Sequence, residues 1–274
     1  MDFGVLNGIL DAFETATSTW VVTLQPLALS LFAALAGIEL TWSFVRAVLS
    51  SRVSGSDLFE LGFRKLLYLA FLNWLILKSP AAFTLVIATF QKAGGLAAGL
   101  TALRPSAYLN TGVSLTMHIW SGWNAAGFFF DPFGREIAVF GSLACIGIFA
   151  LMATSLMVTL IESYILISGG SQLLLGFAAS RWTFPLAEGG VTAVFRIAVK
   201  LLVTYLVTGV IAGLTFHWAS TLETSSFVDV FDFLTFLGTA LTAAILQWTL
   251  PTRLTNYLLP PSFHIRLSPV VGDN

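Results

Sequence analysis

The sequence predicts an all-α, polytopic membrane protein with about five transmembrane helices, its N-terminus outside and its C-terminus in the cytoplasm. Three observations carry that reading. First, only 10% of the residues are charged and 57% are hydrophobic, against roughly 25% charged in a soluble domain. Such an inventory cannot clothe a surface in water. Second, the apolar residues are gathered into runs that suit a hydrocarbon core of ~30 Å, which takes about 20 helical residues to cross. Third, nine of the 13 basic residues fall on alternate connections: Arg46, Arg52, Arg64, Lys65, Arg181, Arg196, Lys200, Arg253 and Arg266. Basic residues favour the cytoplasmic side, so this bias sets the orientation and an odd number of crossings.

Residues 1–25 come first. Val5, Ile9, Leu10 and Phe13 recur at helical spacing, which fits an amphipathic helix on the outer face. No Lys or Arg precedes Arg46. A cleavable signal peptide begins with a basic stretch, so this segment is expected to be retained. The first span covers about 26–49, with Pro26 near its first turn, where a missing N–H costs little. The second covers about 66–90 and meets Lys78-Ser79-Pro80. A proline there removes a backbone hydrogen bond and should kink or split the helix.

The connection 91–136 is the longest, and it lies on the outer side. After glycines 94, 95 and 99 it sets Trp120, Trp123, Phe128, Phe129, Phe130 and Phe133 among polar residues. That mixture suits the headgroup level. It reads as a helical hairpin lying on or dipping into the outer leaflet; the wall of a substrate path or a docking face is a sharper reading compatible with it.

The third apolar region, Ile137–Phe177, is too long for one span and too short for three. An odd number of crossings makes it one tilted helix over 137–168, broken at Gly169-Gly170, with SQLLLGF as a short helix or re-entrant piece at the inner surface. The fourth span covers about 193–216. The fifth covers about 230–250 and is closed by Pro251, leaving a short cytoplasmic tail over 251–274.

Charges inside a bilayer are costly and are either functional or paired. Counted from opposite faces, Glu39 and Lys78 both fall near mid-depth, at ~1.5 Å of rise per residue. That predicts a Glu39–Lys78 ion pair, the alternative being separate neutralisation or a wet cavity. Glu162 lies near the inner end of the third helix, where Arg196 and Lys200, one turn apart on the fourth, share a face. An inner-face clamp of Glu162 with Arg196 or Lys200 is expected, with a proton relay as the alternative. Arg181 and Trp182 read as a cytoplasmic charge and an interface anchor, which with Gly169, Gly170 and Gly176 make a helix break at the cytoplasmic interface.

Enzyme signatures are missing from the sequence. His118, His217 and His264 have no metal-ligand spacing, and there is no GxSxG, HExxH or P-loop. No catalytic, cofactor-binding or metal-binding residue is assigned. Cys145 stands alone, so no disulfide forms within the chain. Gly209-xxx-Gly213 favours close helix packing and self-association.

The run IESYILISGGSQLLLGFAASRWTFPLAEGGVTAVFRIAVKLLVTYLVTGV, beginning at Ile161, resembles the most recognisable region of the TrbL/VirB-six-like family of conjugative type IV secretion systems. The matching positions are Glu162-Ser163-Tyr164, Gly169, Gly170, Gly176-Phe177 and Ser180-Arg181-Trp182-Thr183, followed by a basic membrane-entry segment with Lys200. The long polar C-terminal tail common in that family has no counterpart here. The resemblance implies a non-enzymatic subunit of the bacterial inner membrane. It would form a homo-oligomeric ring, a pentamer, at the base of the periplasmic stalk and act in substrate translocation and pilus assembly. It also implies partners: pilin, the minor pilus-tip subunit, inner-membrane scaffold subunits, secretion ATPases, membrane lipids and, transiently, the transferred DNA or protein. A wide hydrophobic ring would hold phospholipid in its lumen. The rival reading is a stand-alone secondary transporter or channel using Glu39, Lys78 and Glu162.

Overall fold

A computed structural model describes residues 4–49, 55–97, 104–125, 132–224, 230–260 and 263. Seven α-helices account for nearly all of them: α1 (Val5–Leu49), α2 (Gly55–Ala97), α3 (Pro105–Ala125), α4 (Pro132–Ile165), α5 (Ser171–Gly176), α6 (Phe184–Thr224) and α7 (Val230–Leu258). A π-helical turn, Leu166–Gly170, joins α4 to α5, and a 3₁₀ turn, Phe177–Ala179, follows α5. No strand is present among the described residues. The all-α expectation holds, and five stretches are long and apolar enough to cross a membrane: Leu6–Leu49, Gly62–Ala97, Arg135–Ala179, Phe184–Thr215 and Val230–Leu258.

The helices overrun the expected spans. α1 has 45 residues and passes through Pro26 without a break, so the N-terminal segment and the first span are one helix. α2 likewise continues through Pro80, and the reason is local. Proline cannot donate to the carbonyl four residues back, which here is Ile76, and the Ser79 hydroxyl donates to that carbonyl instead at 3.0 Å. In lipid, where no water can satisfy the orphan, this substitution keeps the helix intact. Ser79→Ala should cost about 1 kcal/mol, the net worth of one such hydrogen bond. Thermal unfolding of the purified protein in detergent would measure it, and an unchanged midpoint would count against the role.

The chain divides into two compact units. One comprises Met1–Ala12, Thr89–Ile161 and Val199–Leu258. Its core is built from Tyr108, Leu115, Ile119 and Trp123 of α3, Cys145, Phe149 and Met152 of α4, Ile211 and Ala212 of α6, and Phe233, Phe236 and Ala240 of α7. Glycine sets the closest approaches. A Cβ on Gly112 would stand 2.7 Å from Phe149 Cβ, and one on Gly141 would stand 2.5 Å from Phe233 Cε1. Polar groups are tied to backbone: the Tyr108 hydroxyl donates to the Thr208 carbonyl at 3.1 Å, and Gln247 Nε2 donates to the Met152 carbonyl at 3.0 Å.

α3 corrects the expectation of a peripheral hairpin. It is a single helix with one face in the core. Trp123, expected at the headgroup level, is fully buried and meets Phe233 edge-on at 5.2 Å between ring centroids. Trp120, on another face, is exposed. Phe128, Phe129 and Phe130 lie outside the described residues, and Phe133 falls within α4.

The other unit comprises Phe13–Ala88, Glu162–Ala198 and Leu259–Asn274. Its α1 buries Ala28, Phe32, Ala36, Glu39 and Ser43, and its α2 buries Leu69, Leu72, Ile76, Ser79, Phe83 and Ile87. Both stripes follow the 3–4 spacing of one helix face. Gln25 donates to the Leu77 carbonyl at 3.3 Å, and Lys65 donates to Glu39 at 3.1 Å. These contacts, running in opposite senses along the two helices, fix them as antiparallel. The outward faces carry Ile38, Val45, Phe63, Leu66, Leu67 and Phe71, as suits helices solvated by lipid tails.

Candidate functional site

The buried stripe of α1 ends in two polar residues, Glu39 and Ser43, and Lys65 continues the stripe of α2 one turn before Leu69. Antiparallel pairing sets them side by side. Lys65 Nζ donates to Glu39 Oε1 at 3.1 Å and also to Ser43 Oγ. The Ser43 hydroxyl in turn donates to the Glu39 carbonyl at 2.7 Å. A second cation reaches the same carboxylate oxygen: Arg181 donates from Nε at 3.3 Å and from Nη2 at 3.2 Å. Glu39 Oε2 is buried and has no donor among the described residues.

Arg181 is delivered by a turn that its neighbours build. Ser180 turns extended at φ −114°, ψ 138° and ends the 3₁₀ turn. Its carbonyl accepts from the N–H groups of Thr183 and Phe184 at 3.1 and 2.8 Å. The Thr183 hydroxyl closes back on the Phe177 carbonyl at 2.6 Å. Thus Ser180 and Thr183 shape the turn, Arg181 is clasped by Glu39, and Trp182 lies against Trp42 with ring centroids 6.2 Å apart. One carboxylate holds α1, α2 and this turn together.

The glycines of the same stretch have a role other than the one expected. Gly169 and Gly170 do interrupt the α-helix, but as part of the π-helical turn, and the chain stays helical to Ala179. Gly176 is a packing residue: a Cβ there would stand 2.9 Å from the Ala28 carbonyl oxygen and 3.3 Å from Ala28 Cα. Backbone cannot yield as a side chain can. Gly170 meets only Leu166 Cδ1, at 3.3 Å. Gly176→Ala should therefore cost about 1–3 kcal/mol, the range for overpacking, and Gly170→Ala much less. Equal unfolding midpoints for the two variants would refute the distinction.

The structure also replaces one expected pairing and gives Arg196 another partner. Lys78 does not meet Glu39. It is exposed, and the Gln25–Leu77 contact sets it level with residue 25 of α1, about 20 Å along the axis from Lys65 at ~1.5 Å per residue. The depths were counted from span starts that the helices overrun. Arg196 does not pair with Glu162 among the described residues; its Nη2 donates to the Pro260 carbonyl at 3.2 Å. Nearby, the Tyr164 hydroxyl donates to Glu14 at 3.5 Å. Lys65 is the site residue that sequence reasoning missed, because it was counted only as a loop charge. Among the described residues no three His, Cys, Asp or Glu side chains are grouped to hold a metal ion. With two cations on one acid, the cluster can clamp, or attract an anion, and among the described residues it holds no second acid for proton exchange between carboxylates.

The family of the TrbL/VirB6 plasmid conjugal transfer protein matches residues 36–250, which include the C-terminal third of α1, α2 to α6, the whole Glu39 cluster and most of α7. The chain belongs to this family. No curated protein matches it. As a TrbL/VirB6 protein it is a multi-pass membrane component of a conjugal transfer, or type IV secretion, system, and works within a complex that has other components. The family is a structural one within conjugation systems. Of the residues that carry the resemblance in the sequence, Ser180 to Thr183 build the turn and its clasp in this TrbL/VirB6 chain.

Proposed function

We propose that the protein forms an oligomeric platform in the bacterial inner membrane, at the base of the periplasmic stalk of a type IV secretion machine, and serves substrate translocation and pilus assembly there. The observation that carries this reading is the family match over residues 36–250, which reaches from the end of the first apolar stretch into the fifth. The basic ends of the helices, with Arg46, Arg64 and Arg181, face the cytoplasm in this reading, where they meet the secretion ATPases. The acidic ends, with Asp11 and Glu14, face the periplasm, where scaffold subunits, pilin and the pilus-tip subunit assemble. The chain itself takes no catalytic part.

The transporter reading is weakened by one observation. It needs Glu39 available at mid-membrane with Lys78, and Glu39 is already engaged by Lys65 and Arg181. Single-particle imaging of the detergent-extracted protein, alone and with its secretion neighbours, tests the proposal. A symmetric ring beneath a stalk is expected. A monomer that moves a solute across vesicles by itself would overturn it.

A further inference from the structure

We infer that the turn at Arg181, together with Trp42, Arg46 and Trp182, is a binding site for the headgroup of an anionic phospholipid. The placement comes first. On α1, Trp20 and Trp42 are both exposed and stand 22 residues apart, which is about 33 Å along a helix at ~1.5 Å per residue. A hydrocarbon core is ~30 Å thick and exposed tryptophans favour its two borders. The stretch between them shows Val22, Leu27 and Ile38 outward, as a lipid-facing surface should. Trp42 therefore marks one headgroup level, and Trp182, 63% exposed, lies against it at that level.

The charge at this level is cationic. Glu39 offsets one of the two cations bonded to it, so Glu39, Lys65 and Arg181 together carry +1 (−1 + 1 + 1), and Arg46 raises this to +2. Among the described residues neither Lys65 nor Arg181 is ion-paired with any other acid. The acid does not face outward: its side chain is 10% exposed and Oε2 is buried, whereas the Arg181 side chain is 43% exposed. Arg181 spends two of the five N–H donors a guanidinium offers on Glu39. The remainder keep the planar fork that matches a phosphate. Arg46 is exposed and stands one turn beyond Trp42 on the same face of α1. A phosphodiester held between Arg46 and Arg181 over the tryptophan pair would direct its acyl chains along Ile38 and the apolar face below. The shape and the charge both suit a lipid phosphate better than a free one, because apolar surface continues beneath the cationic rim.

This inference requires only that the chain spans a membrane, and stands apart from the secretion-platform reading. The test is native mass spectrometry of the full-length protein released from nanodiscs of phosphatidylcholine alone, or of phosphatidylcholine with phosphatidylglycerol. Retained phosphatidylglycerol should exceed phosphatidylcholine. Arg46→Gln, which leaves the Glu39 clasp untouched, should lower retention about fivefold, the effect of one basic residue near a membrane surface. Arg64→Gln should leave it unchanged, since Arg64 is engaged by Glu60 on α2. Equal retention of the two lipids would overturn the proposal, as would equal behaviour of the Arg46 and Arg64 variants. Displacement of the lipid by millimolar inorganic phosphate would also overturn it, by showing a site for free anions.

Discussion

Replacing Glu39 with glutamine is expected to lower the stability of the protein by about 3 kcal/mol, the lower end of the range for removing one member of a buried ion pair. The lower end applies because Lys65 and Arg181 keep some water. Their side chains are 25% and 43% exposed, while that of Glu39 is 10% exposed. The amide would leave two cations facing one another around a neutral group. Losing Arg181 instead should cost about 1 kcal/mol or less, as expected for the more exposed partner. Lys78→Gln should stay within about 0.5 kcal/mol, as surface substitutions usually do. In the double variant Glu39→Gln/Lys65→Met, part of the loss should return, since an unpaired cation is removed along with the acid. Thermal unfolding in detergent measures all four. If Glu39→Gln and Lys78→Gln shift the midpoint equally, the clasp has no special weight.

The number and kind of membrane-capable stretches were legible because hydrocarbon demands it: a crossing must be a long apolar helix with its backbone satisfied internally. The lengths were not. Pro26 and Pro251 read as boundaries and Pro80 as a kink or split from local rules, yet all three lie inside continuous helices. At Pro80 a neighbouring serine supplies the missing bond. The error in length then moved the ion pair. Counting outward from the short connection at residues 50–54, which is common to both helices, places Glu39 opposite Lys65. Counting Glu39 from the outer face at about residue 26 and Lys78 from the inner face at about residue 66 sets those two at one depth instead. The signal was present in the stripes, since Ala36, Glu39 and Ser43 continue one helix face while Lys65, Leu69 and Leu72 continue another. Arg181 could not have been found this way, because its approach depends on the Ser180 turn and on the close packing of Gly176 against Ala28.

The aromatic region between α2 and α4 shows the opposite case, a pattern that was legible and was read for the wrong reason. Tyr108, Gly112, Leu115, Ile119 and Trp123 recur at 3–4 spacing, with Ser114, His118 and Ser121 on another face. That is an amphipathic helix whose apolar side needs a partner, and α4 and α7 provide one. Trp123→Ala should therefore cost about 3–5 kcal/mol, the range for truncating a large buried aromatic. In a membrane the loss comes from packing rather than from water, since lipid tails are as apolar as the core and the gain lies in dispersion contacts. The indole is 0% exposed and is set edge-on against Phe233, which in turn fills the space above Gly141. A cavity there would loosen α3, α4 and α7 together. Trp120→Ala, three residues earlier and 42% exposed, should change stability by about 0.5 kcal/mol or less. Trp123→Phe should fall between, because it keeps a ring against Phe233. Unfolding midpoints of the three variants decide the matter. A larger loss for Trp120→Ala than for Trp123→Ala would return these tryptophans to the headgroup level and remove α3 from the core.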